Sequence, residues 1–213
     1  MARIPVEGFW SGKLTFKRTA SPSSTAVLEK GKSHSGIASL KIMTDQVFPQ
    51  EMFQLEEGKS YTVNAWVATS NSQPLTPSLG SNLGFDIIIK DKLKAPVATF
   101  SFVPQGNIIE GWQQVKGTFI CPIKTSFIDI KFKSGSGGGV WYDDLRMHPE
   151  KGNMKSYVYD LKDYRLRAIL DEENFASFFY YDVEGNLYLT KKETEKGIKT
   201  ITENVSYQVE KRD

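Results

Sequence analysis

The sequence predicts an all-β protein, a sandwich or barrel carrying a small β-hairpin extension at its C-terminal end. Three observations point there. Several stretches alternate apolar and polar side chains with a period of two, the mark of half-buried strands. Clusters of Gly, Pro, Ser and Asn interrupt them at short intervals. No long segment carries the apolar spacing of an amphipathic helix.

The elements follow in order. Gly8–Arg18 and Ala38–Met43 read as the first strands. Tyr61–Ala68 (YTVNAWVA) places Tyr61, Val63, Ala65 and Val67 on one face and Thr62, Asn64, Trp66 and Ala68 on the other. Gly84–Lys90 (GFDIIIK) alternates Phe85, Ile87 and Ile89 against Asp86, Ile88 and Lys90. Thr99–Val103 and Trp112–Ile120 are strands, with Trp112 and Phe119 as core residues. In Phe127–Lys133 the apolar set is Ile128, Ile130 and Phe132, with Asp129 turned away. Val140–Met147 closes the series, and one of Trp141 and Tyr142 faces outward. Turn formers separate these runs, among them Glu57-Gly58-Lys59, Asn71–Gly80 and Ser134–Gly139. The only helical candidates are the weak segments Pro49–Leu55 and Leu161–Glu173.

A boundary is expected near His148–Asn153, dividing a sandwich over 1–150 from a tail over 151–213. The tail is rich in tyrosine and charge and holds a near repeat, Tyr157-Val-Tyr-Asp160 and Phe179-Tyr-Tyr-Asp182. The second copy continues through Asp182-Val-Glu-Gly185-Asn, a hairpin turn in which Gly185 can take a positive φ. A further hairpin fits Lys191–Thr202, turning at Glu195-Lys196-Gly197. Residues 154–213, sixty in number with few aliphatics, make a marginal domain. The aromatic side of the hairpins (Tyr157, Tyr159, Phe179, Tyr181) needs cover from the sandwich, from neighbouring chain or from a partner.

Composition excludes several classes. Of 213 residues 26 are aromatic, and 27 Lys+Arg against 25 Asp+Glu leave a net charge of +2, so the chain is neither disordered nor driven in bulk toward nucleic acid. No apolar run is long enough for a membrane helix. Met1–Pro5 lacks a signal-peptide core, so the chain is either cytosolic or part of something longer whose signal lies upstream. Cys121 is the single cysteine and permits no intrachain disulfide. His34 and His148 are the only histidines, too few for a transition-metal site. Nucleophile elbows, phosphate loops and metalloprotease motifs are missing. Neighbouring carboxylates on a regular strand, such as Asp143 and Asp144, point to opposite faces and cannot flank one glycosidic bond.

Four stretches resemble the galactose-binding-like jelly-roll modules that bind carbohydrate in bacterial glycoside hydrolases. These are Ser33-His-Ser-Gly-Ile-Ala-Ser-Leu-Lys41, Tyr61-Thr-Val-Asn-Ala-Trp-Val67, Trp112-Gln-Gln-Val-Lys-Gly-Thr-Phe119 and Val140-Trp-Tyr-Asp-Asp-Leu-Arg-Met147, in that order. The tail, through Tyr181-Asp182-x-x-Gly185-Asn186-Leu187 and the partial match at Tyr159-Asp160, resembles the tyrosine-aspartate repeats of Rhs-type proteins. The combination looks like the C-terminal end of a large bacterial surface or exported protein. The resemblance implies an extracellular, non-catalytic module. Trp66 is the expected sugar platform, with Asn64, Asp86 and Asp129 supplying hydrogen bonds to hydroxyls. It also implies a structural Ca²⁺ held by Asp143 or Asp144 with Glu7. Beside these stand plainer readings. Trp66 could cover a sheet or lie under a loop, the polar residues could be solvated, and Asp143 could cap a turn or pair with Arg146. A structural or protein-interaction module, whose tail docks on another chain, is the alternative function.

Overall fold

The computed structural model describes residues 26–50, 55–70, 78–135, 138–160 and 162–204. Fifteen strands and no helix are found among them. The first ten are β1 (Ala26–Lys30), β2 (Ala38–Ile42), β3 (Gln46–Gln50), β4 (Ser60–Thr69), β5 (Leu83–Lys90), β6 (Pro96–Phe102), β7 (Pro104–Ile109), β8 (Trp112–Ile120), β9 (Phe127–Ser134) and β10 (Val140–Pro149). They form two antiparallel sheets, β1-β2-β10-β4-β8-β7 and β3-β9-β5-β6, packed as a jelly-roll sandwich. The expected strand at 8–18 lies outside the described residues.

Alternation dictates the core. From the six-stranded sheet Tyr61, Val63, Ala65, Val67, Val115, Phe119 and Tyr142 point inward to meet Phe85, Ile87, Ile89, Ile128, Ile130 and Phe132 of the four-stranded sheet. The Tyr142 hydroxyl ties the layers together, accepting from the Gly84 N–H at 3.0 Å and lying 2.6 Å from the Lys133 carbonyl. Gly84 sits at φ +108, where an added Cβ would lie 2.0 Å from the Phe102 carbonyl oxygen, so the residue must be glycine.

The tail is a five-stranded antiparallel meander: β11 (Ser156–Tyr159), β12 (Leu166–Leu170), β13 (Ala176–Tyr181), β14 (Leu187–Thr194) and β15 (Gly197–Glu203). The weak helix expected at 161–173 is not formed. Leu166–Leu170 is strand, because Ala168 and Leu170 alternate inward with 0% exposure while Arg167 stays outside. The near repeat also resolves more finely than its 22-residue spacing implied. Asp160, Asp171 and Asp182, eleven residues apart, each open a strand-to-strand turn with a carboxylate oxygen accepting a backbone N–H (Lys162, Phe175 and Asn186). Each turn places one residue in the left-handed region, respectively Tyr164, Asn174 and Gly185. The period of 22 is therefore two strand-and-turn units.

Candidate functional site

The tail sheet lies against the outward face of the six-stranded sheet. Trp66, Ala68, Ile109, Trp112 and Trp141 form a second apolar cluster there, with Phe175 and Ile198 of the tail packed on it. Trp112 thus belongs to this junction and not to the sandwich core. Tyr142 faces the core while Trp141 faces outward, yet both are buried. Lys32 and Lys41 place their ammonium groups 3.9 and 4.9 Å from the Trp141 ring.

A polar network organises the junction. His34 stacks on Trp66 with ring centres 4.2 Å apart and meets Trp112 edge-on at 5.8 Å. Its Nδ1 lies 2.8 Å from Asp144 and its Nε2 2.9 Å from Glu193 of β14. Burial alone would lower the His34 pKa, but Glu193 and Asp144 outweigh it and push it up to about 10. The ring is therefore an imidazolium at neutral pH, donating from both nitrogens. Glu193 also accepts the Ala176 N–H at 3.0 Å, and Ser35 donates to Asp144 at 2.7 Å. Arg146 spreads its guanidinium over the tail, donating to the Asp171 carbonyl, the Asn174 side chain and the Met154 carbonyl. Trp66 Nε1 donates to the Asn174 carbonyl at 2.8 Å. The Asp171–Phe175 turn thus seats in a cradle made by β4 and β10.

A β-bulge makes this cradle possible. The β10–β4 register shifts between Asp143 and Arg146, and Asp144 takes φ +47. Asp143 and Asp144 consequently do not point to opposite faces as on a regular strand; both carboxylates reach His34, that of Asp143 accepting the His34 backbone N–H at 2.8 Å. Burial and the charge of Asp144 push the Asp143 carboxyl well above the usual range.

Several expectations for the site change here. Trp66 is 0% exposed, so its ring offers no sugar platform; tail residues and His34 occupy its surroundings. Asn64 is 1% exposed on the same covered face. Asp86 and Asp129 lie on the outward face of the other sheet, across the core, where they pair with Lys133 and Lys90. The four residues cannot meet one ligand. Glu7, the third expected calcium ligand, lies outside the described residues. The four oxygens of Asp143 and Asp144 already accept from the His34 N–H, the Asp144 N–H, the Ser35 hydroxyl and the His34 ring. A calcium ion needs six to eight oxygens and would displace these donors. The described residues at this place do not fit it.

Among the described residues, the other face of the tail sheet is open. Val158, Ala168 and Phe178 share one cross-strand row, and Val158 lies against Gly36 of the sandwich. The next row, Tyr157, Ile169, Ser177, Lys192 and Lys199, therefore points away. Alternation puts Tyr159, Phe179 and Tyr181 on that outward face too. Tyr157 and Tyr159 are 55% and 54% exposed, and Arg165 sits 5.6 Å over the Tyr181 ring. The sequence marks these four aromatics as needing cover, but the sandwich lies against the opposite face, where Val158, Ala168 and Leu170 are buried. The roles of His34 and Glu193 carried no sequence signal, since they are 159 residues apart and polar.

No protein-family model matches the chain, and no curated protein does. Among solved structures the chain is similar to the enzymatically active domain of bacteriophage CBA120 tailspike protein 4, at 15% identity and TM-score 0.42 over 58% of this chain and 18% of that one. It is similar to the CBM22-1–GH10 modules of a Clostridium thermocellum xylanase, at 11% identity and TM-score 0.45 over 60% of this chain and 24% of that one. For the CBM22-1 xylan-binding domain of Paenibacillus barcinonensis Xyn10C the values are 11% and 0.46, over 63% of this chain and 86% of that one. The chain thus spans less than a quarter of the first two of these.

Proposed function

We propose that the chain is a non-catalytic glycan-binding module, part of a longer exported protein, whose ligand face is the open side of the tail sheet. One observation carries this reading: Tyr157 and Tyr159, each more than half exposed, share an outward face with Phe179 and Tyr181 on a sheet whose other side is anchored. Flat aromatic rings on a rigid support stack on the apolar faces of sugar rings, and Arg165 and Arg167 beside them can bond hydroxyls. The buried His34 cannot serve as a base, because both its nitrogens are committed to carboxylates. A glycan array with the intact chain should give hits that Tyr157→Ala/Tyr159→Ala reduces about tenfold or more. Absence of hits, or hits that the double variant leaves unchanged, would overturn the reading.

A protein-interaction role has one observation of its own. β15 pairs only with β14 among the described residues, and Lys199–Glu203 are exposed along it. Such an edge can accept a strand from another chain.

A further inference from the structure

We infer that the glycan taken by this face is anionic, an inference that rests on the glycan reading of the open face. Lys192 and Lys199 stand directly opposite each other on β14 and β15, both exposed and both on the outward face. Like charges directly opposed across a ladder repel and destabilise it unless an opposite charge offsets them. Here neither lysine has an ion-pair partner among the described residues. The acids of these two strands point the other way: Glu193 is paired with Ile198 and bound to His34, and Glu203 lies opposite Leu189 in a row of the inward face. What accompanies the lysines outward is hydroxyl-bearing: Ser177 in the same row, and Thr190 and Thr202 in the next.

The open face thus divides into an aromatic half on β11–β13 and a basic, hydroxyl-rich half on β14–β15. Tyr157 and Lys199 end the same cross-strand row, four strand spacings or about 19 Å apart. An oligosaccharide lying across the strands would stack on the tyrosines and bring a carboxylate, sulfate or phosphate substituent to the lysine pair. The ligand would then supply the charge that the ladder lacks. The tyrosines favour rings in the ligand, and the near balance of total charge disfavours a long polyanion recognised by charge alone.

The test uses the intact chain with three probes: polygalacturonate, neutral xylan and an oligothymidylate. Polygalacturonate should bind about tenfold or more tightly than xylan, and Lys192→Gln/Lys199→Gln should remove that advantage while leaving xylan affinity unchanged and without lowering the melting temperature. Raising salt from about 50 mM to about 500 mM should act like the double substitution. Equal affinity for both polysaccharides, lost in Tyr157→Ala/Tyr159→Ala but untouched by the lysine substitutions, would overturn the anionic preference and leave the glycan reading standing. No binding to either polysaccharide would remove both. Tighter binding of the oligothymidylate than of polygalacturonate would overturn the inference in favour of a nucleic-acid ligand.

Discussion

The two sheets of the sandwich each turn one face away from their shared core, and the two outward faces are finished by different means. On the six-stranded sheet, Asn64, Trp66, Trp112, Trp141 and Arg146 lie beneath the tail, and every strong donor or charge there that finds a partner finds it in a precise geometry. On the four-stranded sheet, Asp86, Lys90, Asp129, Lys131 and Lys133 neutralise one another within the sheet and with Asp45 of the adjoining loop. The sequences of the two faces look alike, since both alternate polar with apolar residues. Their energetics differ because one is desolvated by a second sheet and the other, among the described residues, has no sheet over it.

The largest effect should come from the covered face. Trp66→Ala removes a fully buried indole together with its bond to Asn174 and its stack on His34. A cost of about 3–5 kcal/mol is expected, seen as a fall of roughly ten degrees or more in the melting temperature. If Trp66 were an exposed platform, the same substitution would leave the melt nearly unchanged, so calorimetry decides between the two. Next comes pH. His34 titrates at an ordinary 6.5 when unfolded and at about 10 when folded, so the native state binds the extra proton. Its stabilisation is complete below about 6.5 and is lost as pH rises toward about 10. Asp143, also raised by burial, acts with the same sign from lower pH. Melting temperature should decline across this range, and His34→Gln should flatten the part above pH 6.5; a wild-type profile flat from 6.5 to 10 would show that the ring is not held as an imidazolium.

Much of the sandwich was legible in the chain. The alternation in Tyr61–Ala68, Gly84–Lys90 and Phe127–Lys133 assigned each residue to the correct side of its sheet, because strand geometry is local. What alternation could not say is what lies beyond a face. Trp66 and Asp86 read alike as outward residues, and only the tail's position separates them. The β-bulge was equally invisible: nothing in Asp143-Asp144-Leu145 announces a positive φ at Asp144, and without it both carboxylates could not reach one histidine. The tail's turns were half visible. Gly185 signalled one, whereas Asn174 and Tyr164 take the same backbone region with side chains that favour it less clearly.

Gly185 allows a moderate effect to be set beside these. Its φ is +96, and a Cβ there would meet the Arg165 guanidinium at 2.5 Å. The guanidinium end is flexible and can move, so backbone strain dominates, and Gly185→Val should cost about 1 kcal/mol or more. Displacing Arg165 also disturbs its position over Tyr181, so the substitution should weaken ligand binding at the open face, which Trp66→Ala would affect only through unfolding. Paired melting and binding curves on the two variants separate these routes.

The smallest effect should come from the four-stranded sheet. Lys133 and Asp86 form an ion pair of 2.7 Å with side chains 20% and 12% exposed. Were this face covered as the other is, Lys133→Ala would strand a carboxylate out of water and cost about 3–5 kcal/mol, as breaking a buried pair does. With the face open, water solvates Asp86 once the lysine is gone, and the loss should stay below about 1 kcal/mol and shrink further in high salt. Denaturant melts at low and high salt measure both quantities. A loss of several kcal/mol that salt does not reduce would mean that this face is desolvated in solution, and that the contrast between the two faces of the sandwich is not one of cover.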